Sequence, residues 1–228
     1  MSYLYLDIET RPSHAPEIHA SIAAAISPPG NISKAETIAQ WEAEKKPLAV
    51  KEAIAKTALD GAFGHVCCIG WAFDEEPARH AMSTDTLDEK DVIRAFLDAV
   101  AHQREQRHNL LPVIVGHNVI GFDIRFLWQR AIVLGITMPT WFPRDPKPWA
   151  GEAVDTMTAF AGSRGMIGMD KLCQALGIEG KDGIDGSMIG DLWARGEFST
   201  IAAYCRADVE RTREIHRRMM VAFGEIAA

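Results

Sequence analysis

The stretch Tyr3-Leu-Tyr-Leu-Asp-Ile-Glu-Thr10 is the starting point for the fold. Its aromatic and aliphatic residues are dense enough for a buried β-strand from Tyr3 to Ile8, and two acids arrive at the end of that strand. Asp7 and Glu9 are two residues apart, so on an extended segment their side chains share one face. A buried strand with two such carboxylates predicts a ligand site at this end of a sheet.

Two more acids close motifs that lie far along the chain. Asp123 ends Gly116-His-Asn-Val-Ile-Gly-Phe-Asp123, and Asp208 ends Tyr204-Cys-Arg-Ala-Asp208. Carboxylate oxygens are hard ligands suited to Mg²⁺ or Mn²⁺, and clustered acids repel one another unless cations or protons neutralise them. The four acids together predict a site for two divalent ions about 3.5–4 Å apart, a geometry that supports in-line phosphodiester hydrolysis. Tyr204 lies four residues before Asp208 on one helix face, where its phenol would orient the attacking water.

The remaining sequence alternates strand and helix signals, which predicts an α/β fold. Short apolar runs favour strands at 66–73, 78–83, 112–116 and 153–155. Helical spacing favours helices at 88–107, 122–134, 155–160, 169–176, 187–195 and 200–223. One domain spanning 1–228 is expected.

Two regions interrupt this pattern. Residues 11 to about 60 are rich in alanine, contain the breaker Pro28-Pro29-Gly30 and show a helical pattern over 33–59, which predicts a largely helical insertion. Residues 139–151 are rich in proline and aromatic residues, which predicts an irregular loop or a substrate lid.

Composition narrows the class of protein. A chain of 228 residues with 47% hydrophobic content can bury one substantial core, and it has no apolar run long enough for a membrane span. The N-terminal residues lack a basic region, an apolar signal core and a cleavage site, which predicts a cytoplasmic protein. A formal charge of −7 argues against a large nonspecific nucleic-acid surface but is compatible with a small site for one strand end. The arginines between 206 and 218 fit a basic patch or a solvated helix face equally well.

Cysteine and histidine patterns give no second metal site. The four cysteines have no CxxC spacing, so buried free thiols are expected rather than zinc ligands or disulfides: Cys67, Cys68, Cys173 and Cys205. The histidines lack paired spacing, so the following are assigned no metal role: His14, His19, His65 and His117.

The three acidic motifs resemble those of the DEDD superfamily of 3′-to-5′ exonucleases. The matching segments are Asp7-Ile-Glu9, Asn118-Val-Ile-Gly-Phe-Asp123 and Tyr204-Cys-Arg-Ala-Asp208. The tyrosine is typical of the DEDDy branch, because the histidine branch places a histidine five residues before the last aspartate, where this chain has Ala203.

Further segments look like the proofreading domain of family-B DNA polymerases: Asp155-Thr-Met, Met169-Asp-Lys-Leu-Cys-Gln-Ala-Leu-Gly-Ile and Ile201-Ala-Ala-Tyr-Cys. The resemblance spans nearly the whole chain and is weakest across 11–60 and 139–151. Because no polymerase domain follows in the sequence, the resemblance implies a standalone relative.

The resemblance implies a ribonuclease-H-like fold, a mixed sheet with flanking helices, and hydrolysis of single-stranded DNA from its 3′ end to nucleoside monophosphates. It implies that two Mg²⁺ or Mn²⁺ ions are bound by four residues, which are also catalytic: Asp7, Glu9, Asp123 and Asp208. Tyr204 is implied as a fifth catalytic residue that binds no metal. Asn118 and Phe122 match positions that contact or frame the terminal nucleotide, and Thr10 lies where backbone groups grip the strand end. Structural roles are equally compatible with these two residues. Asn118 could cap the following turn, and Phe122 could be part of the core.

Several alternatives remain open at this stage. The same ions hydrolyse either backbone, so the chain could trim RNA 3′ ends, and a catalytically silent module that binds strand ends or a protein is a third possibility. Replication or repair proteins are possible partners, and the oligomeric state is open. Three aromatic residues are candidates for base stacking, although core packing is the commoner role of each: Trp141, Phe142 and Trp149.

Overall fold

The sheet of this protein has five strands in the order β3-β2-β1-β4-β5, in a computed structural model that describes residues 2–84, 86–180 and 183–227. The strands are β1 (Tyr3–Arg11), β2 (His65–Phe73), β3 (Arg79–Met82), β4 (Val113–Gly116) and β5 (Ala153–Asp155). β1 pairs with β2 and β2 with β3 in antiparallel fashion, whereas β1 pairs with β4 and β4 with β5 in parallel. The predicted α/β fold with a mixed sheet is confirmed.

Helices cover both faces of this sheet. Between β3 and β4 runs α4 (Glu89–Gln106), and between β4 and β5 runs α5 (Asp123–Leu134). Both pack with Leu4, Leu6 and Ile8 in the main apolar core. The last helix, α9 (Phe198–Ala222), packs across β1, β2, β3 and β4 and contacts the alternate residues of β1, such as Tyr5. Because side chains alternate along a strand, Asp7 and Glu9 face α9 rather than the main core.

The first strand is longer than the sequence indicated. It continues to Arg11, and its register with β2 shifts between Glu9 and Thr10. Both acids therefore lie inside the strand, beside an irregularity, rather than at its end. The reason is tertiary: Thr10 and Arg11 pair with Val66 and His65, which holds these polar residues extended.

Residues 11–60 contain three α-helices where one helical pattern over 33–59 was predicted. They are α1 (Pro16–Ala25), α2 (Ala35–Glu44) and α3 (Lys46–Lys56), followed by a 3-10 turn at Thr57–Leu59. Pro47 lies in the first turn of α3, where its missing N–H costs nothing, so the chain breaks there into two helices. All three helices lie within the described residues 2–84, and none contains a buried residue.

Hydrogen bonds fasten this insertion to the sheet at its end. The Thr10 hydroxyl donates to the Ala58 carbonyl over 2.7 Å, and the Ser13 N–H donates to the Thr57 hydroxyl over 2.8 Å. Beyond the turn, the buried Arg130 donates to the Gly61 carbonyl over 3.0 Å. The root of the insertion is thus fixed although its helices are exposed.

The C-terminal third contains short helices before α9. They are α6 (Thr156–Ala161), α7 (Met169–Leu176) and α8 (Ile189–Ala194), the last preceded by a 3-10 turn at Gly186–Met188. Residues 139–151 have no regular secondary structure, as predicted. Within them Phe142 is buried and Trp141 packs against the core, whereas Trp149 is 83% exposed. Among the described residues, no helix is both long and apolar enough to cross a membrane.

Candidate active site

Asp7 and Glu9 converge as the sequence predicted, and a cysteine joins them. One ligand atom from each of Asp7, Glu9 and Cys205 lies within 4.8 Å of the others. The Cys205 Sγ lies 3.5 Å from the Asp7 carboxylate. In the described part of the chain this is the one group of three or more potential metal-ligating side chains with that spacing. The sequence predicts Cys205 only as a buried thiol, so its contact with Asp7 is an addition to the predicted site.

A glycine in the neighbouring strand explains how α9 approaches so closely. Gly70 pairs with Asp7 across β1 and β2. A Cβ atom at Gly70 would lie 2.9 Å from the Cys205 Sγ and 3.1 Å from a methyl carbon of Val209. Only a residue without a side chain leaves room for the helix at this point. Gly70 therefore allows Asp208, which lies between Cys205 and Val209 on that turn, to approach Asp7.

Asp208 is buried on α9 and has a cationic neighbour. Its Oδ1 accepts a hydrogen bond of 2.8 Å from Arg211, one helical turn further on. Arg211 also donates to the carbonyls of Glu179 and Gly180, over 3.2 and 2.7 Å. Arg211 thus orients Asp208 and ties it to the preceding loop. This role of Arg211 was not predicted, although the three-residue spacing between Asp208 and Arg211 is a sequence signal for such a pair.

Asp123 begins α5 on the other side of β1. Its Oδ1 accepts the N–H of Ile8 over 3.0 Å, which fixes the carboxylate against the strand that carries Asp7 and Glu9. The prediction that Asp123 opens a helix is confirmed. Asp123 and Asp208 both lie outside the compact group of three, but each is close enough to act on its charges.

The electrostatics of the cluster show an excess of negative charge. Burial, and then the charges of Glu9, Asp208 and Asp123, raise the pKa of Asp7 well above its ordinary value. Burial also raises the pKa of Asp123 to about 7, with smaller contributions from Asp155 and Asp208, while the hydrogen bond from Ile8 opposes the rise. A group of carboxylates with raised pKa values needs protons or cations to be stable.

Tyr204 lies beside these acids and is itself largely buried. Burial raises the pKa of its phenol, and the charges of Asp208, Glu9 and Asp7 raise it further. The phenol is therefore neutral at physiological pH, so it can position a water molecule but cannot act as a base. It also lines a cleft of about 480 Å³ along α9 together with Ala207 and Arg211.

The three predicted substrate contacts have different surroundings. Phe122 is half-buried against Phe126, with ring centroids 5.3 Å apart. Asn118 has a left-handed backbone with φ of 64° and accepts the Phe122 N–H at its carbonyl. The hydroxyl of Thr10 donates to the Ala58 carbonyl, and its backbone pairs with Val66 of β2.

Asp155 is a positioning residue that the sequence analysis did not assign. Its carboxylate accepts the N–H groups of Asn118 and Ile120, over 2.9 and 3.2 Å, and the Met157 N–H over 3.0 Å. It therefore caps α6 and holds the loop that carries Asn118. The segment Asp155-Thr-Met was noted only as part of the family resemblance.

The histidines and cysteines have structural surroundings. His117 bonds to the Thr156 hydroxyl and the Ile167 carbonyl, His19 to the Ser13 carbonyl, and His65 to Glu89. All four cysteines are buried and free, as predicted. No group of three or more metal ligands among the described residues includes a histidine.

The arginines of α9 mostly pair with acids of the same helix. Arg217 and Arg218 both bond to Glu214, and Arg213 bonds to Glu210. Such pairs favour the solvated helix face over a basic patch.

Comparison with known proteins places residues 62–228 in a family model described as "Predicted 3'-5' exonuclease related to the exonuclease domain of PolB". The matched range includes Asp123, Tyr204 and Asp208, whereas Asp7, Glu9 and the insertion precede it. A search of the curated proteins finds no match.

Among solved structures, the chain is similar to the family B DNA polymerase from the hyperthermophilic archaeon Pyrobaculum calidifontis. The TM-score is 0.58 with 17% sequence identity over 98% of this chain. The chain spans 25% of the length of that polymerase. This likeness confirms the predicted ribonuclease-H-like fold.

Proposed function

Because the chain belongs to the family of predicted 3′-5′ exonucleases related to the exonuclease domain of PolB, we propose that it is a metal-dependent, DEDDy-type exonuclease that degrades single-stranded DNA to nucleoside monophosphates. The observation that carries this proposal is that carboxylate oxygens of Asp7 and Glu9 lie within 4.8 Å of each other. Asp208 and Asp123 are close enough for their charges to raise the pKa of Asp7.

The acid cluster fits divalent cations on chemical grounds. It offers hard oxygen donors, and its excess negative charge is what raises the pKa values of Asp7 and Asp123. Two Mg²⁺ or Mn²⁺ ions bound by Asp7, Glu9, Asp123 and Asp208 would supply a deprotonated water and charge stabilisation for the leaving oxygen. The thiol of Cys205 is soft and has a pKa raised well above its ordinary value by burial, so it is a poor ligand for these hard ions.

The protein's own residues would prepare the substrate and the water. Tyr204, kept neutral by its surroundings, orients the attacking water by a hydrogen bond. Arg211 holds Asp208 in one orientation. Asp123 is held against β1 by the Ile8 N–H, so three separate elements present their carboxylates in fixed positions.

Asn118, Phe122 and Thr10 are proposed to receive the 3′-terminal nucleotide. Phe122 is half-buried at the start of α5, so one edge of its ring is available to frame a base. Asn118 is held by Asp155 through the backbone, which leaves its side chain to contact the nucleotide. Near Thr10, backbone groups would grip the strand end.

DNA is proposed as the substrate because the family is related to the exonuclease domain of PolB. Trimming of RNA 3′ ends stays an alternative. Only contacts to the 2′-hydroxyl distinguish the two. Replication or repair proteins as partners, and a cytoplasmic location, stay predictions.

A time course with 3′-labelled and 5′-labelled single-stranded DNA and RNA, in Mg²⁺ or Mn²⁺ and in chelator, tests the proposal. We expect mononucleotides from the 3′ end, more from DNA, and none in chelator. A strong RNA preference would overturn the substrate. Binding of the oligonucleotide in Mn²⁺ without release over a broad pH range would instead favour a silent binding module.

A further inference from the structure

A groove with mainly apolar walls lies between the insertion and the segment before α8, beside the end of β1. It measures about 500 Å³, which is within the usual range of roughly 300–1,000 Å³ for ligand sites. The side chains and backbone that line it include the following: Thr10, Pro12, Ala55, Ala58, Leu59 and Gly190. Thr10 directly follows Glu9, so one end of the groove lies next to a residue of the proposed active site.

Leu59 stands where this groove meets a second, smaller one. It also lines a cavity of about 170 Å³ with Phe122 and Arg125. Its side chain is 71% exposed, so it is accessible from both cavities. The turn is fixed because the neighbouring Ala58 carbonyl accepts the Thr10 hydroxyl. Leu59 thus separates a compartment containing Thr10 from one containing Phe122.

We propose that the insertion clamps the single-stranded substrate, with Leu59 packed against a nucleobase and Lys56 beside the phosphate backbone. This inference rests on the proposed function and extends it to a part of the chain outside residues 62–228, the range that matches the family model. The apolar groove suits the faces of bases, which stack and pack without regard to sequence. The clamp therefore predicts weak sequence preference and a requirement for an unpaired strand.

Two charged residues at the groove predict the direction in which mutations change DNA affinity. Lys56 and Glu52 both line it, one turn apart on α3. A polyanion beside them is attracted by the lysine and repelled by the glutamate. Neutralising these two residues should therefore change strand affinity in opposite directions.

A second protein molecule is a poorer occupant for this groove. Stable protein interfaces bury on the order of 1,200–2,000 Å² and need a broad apolar core. This groove measures about 500 Å³, contains one large exposed apolar side chain and is lined by Thr10, the neighbour of Glu9. A strand that already has its end at the acids would pass through it.

Leu59→Ala, with Leu48→Ala as the matched control, tests the clamp. Leu48 belongs to the same insertion, is 63% exposed and lines neither groove. Binding of a fluorescein-labelled single-stranded DNA oligonucleotide is measured in chelator, where hydrolysis cannot interfere. We expect Leu59→Ala to weaken binding by about tenfold and Leu48→Ala to change it less than about twofold. In Mg²⁺, KM should rise with kcat nearly unchanged.

Lys56→Ala and Glu52→Gln provide the second measurement, with Lys51→Ala as the control on an exposed lysine outside the groove. Lys56→Ala should weaken binding and lower the salt dependence by roughly one phosphate contact, whereas Glu52→Gln should strengthen binding. Thermal unfolding of each variant should match the wild type, because all three side chains are exposed.

The result that overturns the clamp is equal DNA binding by Leu59→Ala, Leu48→Ala and the wild type, together with changes of the same sign for Lys56→Ala and Glu52→Gln. If the wild type digests DNA but shows this result, the clamp alone fails. If the variants differ as expected in binding but the wild type releases no nucleotide, the proposed hydrolysis fails and the strand-binding role stands.

Discussion

The acid cluster and the insertion are adjacent on β1 but are built in opposite ways. Glu9, Asp123 and Asp208 are only 6%, 4% and 3% exposed, and each belongs to a different element of the core fold. The three helices of the insertion, all described, bury no residue at all. Chemistry on a phosphodiester requires charges held in fixed, poorly solvated positions, whereas holding a flexible strand requires an accessible surface. The difference predicts that the two regions fail in different ways when altered.

Replacing an acid of the cluster should abolish hydrolysis but should not change the binding of single-stranded DNA. Asp7→Ala and Asp208→Ala are each expected to lower nucleotide release by at least about 10³-fold, because each removes a proposed ligand. Asp98→Ala, which removes an exposed acid on α4, is the control and should retain full activity. The measurement is the rate of mononucleotide release from end-labelled DNA. Undiminished Mg²⁺-dependent digestion by either variant would refute the site.

Replacing Arg130 tests how much the contact between the core and the root of the insertion contributes to the free energy of unfolding. It forms a buried bidentate pair with Glu89, over 2.8 Å at both contacts, and also bonds to the Gly61 carbonyl at the root of the insertion. Arg130→Met should lower the free energy of unfolding by about 3–5 kcal/mol, because Glu89 would remain buried without its cation.

Denaturant unfolding measures this loss, with Arg218→Met as the control for an exposed pair with Glu214. The control should cost less than about 1 kcal/mol. Equal losses for the two variants would mean that the root of the insertion is not part of the cooperative fold.

Tyr204 allows the positioning of the attacking water to be tested without changing the charge of the acid cluster. Tyr204→Phe should reduce kcat by about 10²-fold through loss of the hydroxyl that orients water, with little change in DNA binding. Tyr5→Phe is the matched control, because Tyr5 faces the same helix but bonds to His216 instead. Single-turnover rates measure the difference. If both variants are equally active, Tyr204 has no part in the reaction.

The smallest effect concerns metal and pH. Because the pKa of Asp123 is raised from 3.8 to about 7, the folded protein binds more protons than the unfolded chain in that interval. Its metal-free stability should therefore fall as pH rises from about 4 to 7. Burial is the largest cause of this shift. Because Mn²⁺ or Mg²⁺ binds the ionised carboxylate in competition with the proton, the rise in Tm on adding metal should be larger at pH 8 than at pH 5.

At a metal concentration of about 100 times Kd, the stabilisation is about 2.7 kcal/mol, or roughly 5–10 °C. Thermal unfolding with metal or chelator at the two pH values measures it. Asp208→Ala should show a smaller shift at pH 8. An equal shift at both pH values would contradict metal binding by the ionised carboxylates of this cluster.

Much of the fold could be predicted because its strands and helices carry strong local signals. The apolar run at 66–73 and the helical spacing at 169–176 correspond closely to β2 and α7. The extension of β1 to Arg11 could not be predicted, because it depends on pairing with His65. The helix at Pro16–Ala25 lies within the predicted helical insertion at 11–60 but was not predicted as a separate helix, since its alanine-rich sequence buries no residue and so shows no apolar face.

The convergence of Asp7 and Glu9 could be predicted from their spacing alone. The approach of Asp208 could not, because it depends on Gly70 in another strand leaving room for α9. The contact of Arg211 with Asp208 had a local signal, but its bonds to the Glu179 and Gly180 carbonyls depend on how the preceding loop folds. Side-chain spacing predicts which groups share a face, and packing determines which of them meet.

The contact between Cys205 and Asp7 joins positions 198 residues apart, and this has a consequence for the newly made polypeptide. At a synthesis rate of roughly 5–20 residues per second, the ribosome needs on the order of ten seconds or more between these two positions. Until the helix that carries Asp208 has emerged and docked, the early strand presents its acids without their distant partners. A nascent chain would thus lack a complete acid cluster, and the proposed nuclease activity would arise only after α9 has been synthesised and has docked on β1.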